Sequence, residues 1–390
     1  MAYYFIFPEK DTTLYSHPDR INMNTGGDEI LELVEEKATT GEIYYTSRIL
    51  IKFKNSDIRD VIKNKLTGDA KNITPNTCQI SLKLYSTEHK QLANDHIIEA
   101  FPLSQSFAEG TQRYDGNPPT TTTGSFQAAN GATWVHRTES TGSSWVTSNF
   151  GGGSTGSYSL QAGGGVWYTG SAFRGEDSFF ESDDLDIDID VTSIIQKFSA
   201  SFYQDASYPT GIPNNGFIIK KPSLIEEDGF GYGELSYFST NTHTIYPPQL
   251  CFKWDDSSYS TSGGTVLSSG DIFLSLYNNK SEFQRKSKQR FRITTRKRYP
   301  DRTFVTSSNF LDIQYLPATS YYSVRDAETD EVVIPFDTNY TKLSADSDGM
   351  YFDLFLEGFQ PERYYKIMFR SDNSEGIQIF DEDYFFKVIR

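Results

Sequence analysis

Two cysteines, four methionines and five histidines in 390 residues leave little material for disulfide or metal chemistry. Cys78 and Cys251 lie far apart, and with nothing to indicate an oxidising compartment they read as buried reduced thiols. His17, His89, His96, His136 and His243 are scattered, and none stands at ligand spacing from a cysteine, so no zinc site is expected. No apolar run reaches the roughly 18 residues that argue for a membrane-spanning helix, and no membrane partner is expected. The opening MAYYFIFPEK lacks a basic region ahead of its short apolar stretch, so it reads as a first strand rather than a signal peptide. Positive charge is also short. Thirty-six Lys and Arg against 52 Asp and Glu leave a net charge of −16, which suits solubility at high local concentration. It disfavours a general nucleic-acid binder, because neutralising phosphates requires an excess of cations. A G-x-S-x-G elbow is missing, as are heptad and G-X-Y repeats, which removes one hydrolase signature and the coiled-coil and collagen-like fibre shafts.

Aromatic residues are plentiful, with 25 Tyr and 29 Phe, and Gly, Ser and Thr are abundant. Aromatic and β-branched side chains suit a pleated, half-buried surface and small residues suit turns, so the chain is expected to be mostly β. Strand-like runs are Tyr3 to Phe7, Glu29 to Val34, Ser47 to Phe53 and Gln79 to Tyr85. One helix is predicted from Ile58 to Lys65, capped by Asp57, with Ile58, Val61, Ile62 and Leu66 on one face and Gly68 as its stop. From Pro102 to Gly175 the composition turns to Gly, Ser, Thr, Asn and Pro, which alone would suggest a linker. Trp134, Trp145 and Trp167 argue for ordered loops lying over a sheet, since glycine permits close approach and indole supplies buried area.

In DLDIDIDVTSIIQKF, Leu185, Ile187, Ile189 and Val191 alternate with Asp184, Asp186, Asp188 and Asp190, the period of a strand with one wet face. Thr192 is expected to cap a helix carrying Ile194, Ile195 and Phe198. GFIIKKP reads as a central strand, and the run from Gly233 to Asp256 as a hairpin forming a rigid β edge. Beyond it, Arg290 to Thr294, Phe310 to Gln314, Tyr321 to Asp326, Glu331 to Phe336, Tyr351 to Phe355, Tyr364 to Phe369 and Phe385 to Ile389 form seven short strands with regular turns. The expected organisation is a jelly-roll-like β-sandwich over residues 1–256 with long loops at about 104–175, a connecting segment over 257–289, and a smaller antiparallel immunoglobulin- or fibronectin-like β-sandwich over 290–390.

The pattern Ser239-Thr-Asn-Thr-His-Thr-Ile-Tyr-Pro-Pro248 resembles a segment of virion structural proteins of large, marine, T-even-like tailed phages. The order DTTLYS, a turn with Asn24, Gly26 and Gly27, SRILIKF, ISLKLYS, SQSFAEGT, the Gly-Trp stretch and the Asp190-Val-Thr192 helix start resembles β-sandwich modules called DNRLRE-like. That family usually carries Trp where Phe107 stands here. LPATSYYSVRD, VIPFD, GMYFDLFLEG and PERYYKI resemble the C-terminal module of the same phage proteins, and together these segments cover about two-thirds of the chain. The resemblance implies a non-catalytic virion component acting through other virion proteins, in multiple copies of a symmetric assembly, at the neck, tail or fibre-attachment region.

For chemistry the residues offer less. The Asp184 to Asp190 ladder reads as a solvated strand face, with a shared calcium ion as the alternative. Asp346, Ser347, Asp348 and Gly349 read as a turn, since no bidentate Glu follows as a calcium loop requires. Glu109 and Asp177 are available carboxylates with no motif around them. No catalytic residue and no cofactor is expected. Between Lys280 and Arg302, ten Lys or Arg stand against Glu282 and Asp301. Within that run Arg285, Lys286, Lys288, Arg290, Arg292, Arg296, Lys297 and Arg298 are read as a docking stripe for an acidic neighbour, with a charged strand pair as the plainer alternative. A carbohydrate-binding adhesin is the rival function, with Trp134, Trp145, Trp167 and Tyr168 as the sugar-stacking residues; an enzyme acting on polysaccharide is a third.

Overall fold

The computed structural model describes residues 2–37, 44–66, 78–90, 92, 95–114, 130–139, 143–145, 157–158, 163–180, 184–203, 211–226, 231–261, 264–277, 280–299 and 313–390. The chain is mostly β and divides into two compact units, one of residues 6–251 and the other of residues 1–5 with 252–390.

In the larger unit one sheet runs in the order Gly175–Phe180, Asp95–Pro102, Phe217–Lys220, Tyr44–Phe53, Ile30–Lys37, Gly233–Phe238, Ser86–Lys90, with Pro8–Tyr15 also paired to Tyr44–Phe53. These pairings are antiparallel, and the middle strands are buried on both faces. The inner face presents Ile49, Ile51, Phe53, Phe217 and Ile219, all without solvent exposure. The helix Thr192–Tyr203 packs Phe198 against Phe217 with ring centroids 5.5 Å apart. Strand Ile187–Asp190 pairs antiparallel with Cys78–Leu84, and its alternation of buried isoleucine and exposed aspartate matches the two-residue sequence period. Cys78 and Cys251 are free and buried.

Local expectations needed correction in three places. Asp57 lies inside the helix Asn55–Asp60, whose N-cap is Lys54, and the run continues as a π-helical turn, Val61–Lys65; Ile58, Val61, Ile62 and Leu66 are buried together as expected. The Thr192 hydroxyl is spent on Ile80 across the sheet, and the Asp190 carboxylate accepts the Thr192 N–H instead. Gly233–Phe238 and Gln249–Trp254 belong to different sheets, so the run between them is a crossing rather than a hairpin. Its turn is held by side chains: Thr240 and Asn241 reach back to Asp11 and Gly26, and those bonds leave no register for the two strands to pair.

The smaller unit stacks two sheets. One orders Gly264–Val266, Ile313–Tyr315, Lys288–Lys297, Gly349–Phe355 and Ser344–Asp346, with Ile272–Tyr277 also on Lys288–Lys297. The other orders Glu282–Gln284, Gly376–Ile389, Tyr364–Asn373, Ser320–Asp326 and Val332–Ile334. An aromatic layer joins them. Phe352 lies 5.1 Å from Phe291, 4.4 Å from Tyr322 and 5.9 Å from Phe369 between ring centroids, with Phe386 beside Phe291. The N-terminal residues belong here because Tyr3 bonds Asp337 and Phe5 packs on Phe359. The expected connection over 257–289 instead supplies three strands to these sheets, since its alternating apolar residues Ile272 and Leu274 are buried. Two of its pairings, Gly264–Val266 with Ile313–Tyr315 and Glu282–Gln284 with Gly376–Ile389, are parallel, a departure from the all-antiparallel expectation.

Candidate functional site

The outer face of the large sheet carries an unusual row. Leu14 faces Arg48, Ile219 faces Ile49 so that Lys220 stands beside Arg48, Lys220 faces Glu99, and Glu99 faces Glu176. Cations inside otherwise apolar strands need partners, because an isolated buried charge is strongly disfavoured. Glu226, on the short helix Ser223–Glu226, provides one: its carboxylate takes a two-pronged bond from Arg48 at 3.0 and 2.8 Å and lies 3.0 Å from Lys220 Nζ. Arg174 holds Glu99 at 2.8 Å. Burial lowers the Lys220 ammonium pKa and raises that of the Glu99 carboxyl.

Above this row lie the glycine-rich loops. Arg48 is sandwiched between Trp134 and Trp167, 4.7 and 5.0 Å from the ring centroids, and donates to the Gly164 carbonyl at 3.0 Å. Each such cation–π contact is worth about 0.5–2 kcal/mol. Gly163 and Gly164 adopt positive φ, and a Cβ on Gly164 would fall 2.6 Å from the Arg48 guanidinium. Trp145, Trp167 and Val166 join Leu14, Leu50, Phe101, Leu103 and Ile218 in one apolar cluster, and the Trp145 indole N–H donates to Thr133 O. Trp145, Trp167 and Tyr168 are therefore buried, and Trp134 is partly covered with Arg48 on its ring. Of the four residues read as sugar-stacking, Trp145, Trp167 and Tyr168 thus have their rings covered by the protein itself, and Trp134 stays half-buried with Arg48 on its ring.

A second junction ties the loops down. Asn24 donates to Glu109 O and Ala132 O at 2.7 and 2.9 Å, and a Cβ on Gly26 or Gly131 would stand 2.0 or 2.4 Å from Glu109 O and one on Gly110 2.0 Å from Asn24 Oδ1. Three chain segments thus touch backbone to backbone, which only glycine permits. Beside them Asp11, almost fully buried, accepts from Thr240 N and Oγ1 at 2.7 and 2.6 Å, while its own N–H donates to Glu109 Oε1 at 3.2 Å. Burial pushes the Asp11 carboxyl up to about 7 and raises Glu109; it lowers Lys10, which donates to Phe107 O. Clustered shifted groups can mark catalysis. Here every one of them fastens a loop, and Asp11 is closed to solvent.

In the smaller unit the basic run becomes one face of one strand. Along Lys288–Lys297 the odd positions Phe291, Ile293 and Thr295 point into the core, so Lys288, Arg290, Arg292 and Arg296 share the outer face, with Arg298 continuing the row. The N-terminal half of this ladder is neutralised within the chain. Asp353 binds Arg290 through both oxygens at 2.8 and 3.0 Å and lies 3.1 Å from Lys288; Asp346 binds Arg292 at 2.8 and 2.9 Å. For Asp353, burial alone would raise the pKa, but the bonds from Arg290 and Lys288 leave it lowered; the Arg292 bond lowers Asp346. Tyr351 stacks under Arg290 at 4.1 Å. Arg285 donates to Glu357 O, and Lys286 is exposed.

The C-terminal half is different. Arg296 lies 4.5 Å over the Phe273 ring and, among the described residues, donates only to the carbonyls of Lys297 and Arg298. Arg298 reaches Glu382 at 3.9 Å, the limit of an ion pair, and Tyr299 is exposed beside it, whereas exposed Tyr277 pairs with Arg292 at the other end of its strand. Of the eight cations singled out in the sequence, the structure thus aligns five, Lys288, Arg290, Arg292, Arg296 and Arg298, along one face, with Lys297 at the strand end on the opposite parity, and commits Lys288, Arg290 and Arg292 to internal partners.

Asp346 is taken by Arg292 and by the Asp348 N–H, as a turn rather than a calcium loop requires. Among the described residues no three His, Cys, Asp or Glu converge as a metal site, and no helix is long and apolar enough to cross a membrane. The chain matches no protein-family model, and no curated protein matches it. Arg48, Lys220, Glu226 and Asp11 were not anticipated as a group; the available signal was a cation inside the apolar runs SRILIKF and GFIIKKP.

Proposed function

We propose that this chain is a non-catalytic structural component of a tailed-phage particle, working by protein–protein assembly at the neck, tail or fibre-attachment region. The observation that carries the assembly reading is the open, cationic end of the Lys288–Lys297 face on a chain of net charge −16. Such a patch gives orientation and speed to docking against an acidic neighbour. The order of sequence segments set out above supports the phage assignment, and the jelly-roll-like and immunoglobulin-like topologies belong to the same proposal. The inward use of the tryptophans supports a rigid scaffold over a sugar-binding module. Cryo-electron microscopy of purified particles, with copy number from quantitative mass spectrometry, tests it. A fixed stoichiometry matching a particle symmetry is expected. Absence of the chain from particles would overturn the reading.

A further inference from the structure

We propose that the cationic end of the Lys288–Lys297 sheet face, at Arg296 and Arg298, docks on the carboxylate ladder Asp184, Asp186, Asp188, Asp190 of a second copy of this chain. The inference rests on the assembly reading above and names its partner. Three observations lead to it.

The first is residual charge. Among the described residues Arg296 has no carboxylate partner, whereas Lys288, Arg290 and Arg292 each have one at 3.1 Å or less. The second is repeat distance. Outward residues on a strand recur every two positions, about 6.6–6.8 Å. Asp188 and Asp190 on Ile187–Asp190 follow that step, so Arg296 at the end of its strand can meet one of them with Arg298, just past the strand end, close to the next. The third is accessibility. Ile187–Asp190 ends the order of its sheet beside Cys78–Leu84, and its other edge is held by Asp177, which accepts the Asp188 N–H at 2.9 Å, so it is the aspartate side chains rather than a bare strand edge that are accessible. Asp184, Asp188 and Asp190 are exposed, and Asp184 has no cation partner among the described residues. Asp188 shares its carboxylate with Lys83 at 3.1 Å, Asp186 accepts from Ser86 N and Asp190 from Thr192 N, which holds the ladder rigid. Exposed Tyr299 adjoins the cationic end and supplies apolar area to the contact.

The two surfaces are different patches, so the contact is head-to-tail, and each copy offers one of each. This sets a specific test with the full chain. Arg296→Gln with Arg298→Gln blunts the face, and Asp184→Asn with Asp188→Asn blunts the ladder, both without reversing charge or enlarging a side chain. Sedimentation velocity of the wild type is expected to show association beyond the dimer that falls as salt rises. Each double variant alone, with an unchanged circular dichroism spectrum and unfolding midpoint, is expected to be monomeric. Their equimolar mixture is expected to stop at the dimer, because only one intact face and one intact ladder remain.

A wild type that stays monomeric at low salt would overturn the inference, as would association that survives in either variant. A monomeric wild type found at fixed copy number in particles would sink the self-docking while leaving the assembly reading standing. Absence from particles would sink the assembly reading by itself.

Discussion

Arg48 and Glu226, 178 residues apart in the chain, meet in a two-pronged ion pair with both side chains 2 % exposed, beneath the rings of Trp134 and Trp167. Lys220 shares the same carboxylate. The glycine-rich loops and the central sheet are thus joined by one buried charge cluster.

Removing Glu226 leaves two buried cations facing each other. Glu226→Ala is expected to destabilise the larger unit by about 3–5 kcal/mol, read as a lower denaturant midpoint. Arg48→Met with Glu226→Met should lose much less, since replacing both charges with apolar groups spares the uncompensated ion. Equal losses in the two variants would show that the pair does not act as a unit.

Asp11 makes stability fall with pH. Its carboxyl is raised to about 7 when folded against an ordinary 3.8, so the folded state holds the proton more tightly. The resulting stabilisation is complete below about pH 4 and is lost as pH rises through about 7, a span worth on the order of 4 kcal/mol. Urea midpoints measured across that range should decline for the wild type, and Asp11→Asn should flatten the slope. A slope unchanged in the variant would assign it elsewhere.

Trp145 and Trp167 are core residues by position. Substituting either with alanine is expected to cost about 3–5 kcal/mol, seen as a large drop in melting temperature. Glycan-array binding is expected to be absent before and after substitution. Specific glycan binding by the folded wild type would return these loops to the adhesin reading.

Gly110 carries a φ of +81°, and a Cβ there would stand 2.0 Å from Asn24 Oδ1. Gly110→Ala is expected to destabilise the larger unit by more than the roughly 1 kcal/mol that separates glycine from alanine in ordinary backbone. Limited proteolysis should then cut near residues 107–112 first. Resistance equal to the wild type would mean that the junction relaxes without loss.

Much of the local structure was legible because its cause is local. The alternation of Leu185, Ile187, Ile189 and Val191 with aspartate reports one buried face directly, and six of the seven C-terminal strand runs fall on described strands; the seventh, Phe310 to Gln314, lies mostly outside the described residues and overlaps Ile313–Tyr315. The outward alignment of Arg290, Arg292 and Arg296 follows from the same period once the strand is assigned. The neutralisation of half that ladder was not legible, because Asp353 and Asp346 arrive from strands some 60 residues away.

By itself, then, the sequence determined a mostly β chain, the strands with one wet face, the loop whose glycines and tryptophans had to be ordered together, and an acidic balance with one basic run. These rest on side-chain period, backbone permissiveness and composition, all properties of neighbouring residues. Only the tertiary structure decided that residues 1–5 join residues 252–390, that Trp134 and Trp167 lie on Arg48, and that Arg296 has no carboxylate partner among the described residues where Arg290 and Arg292 each have one. Each depends on which distant strand lies alongside, and pairing between segments far apart in the chain is set by the packing of the whole core rather than by any local pattern.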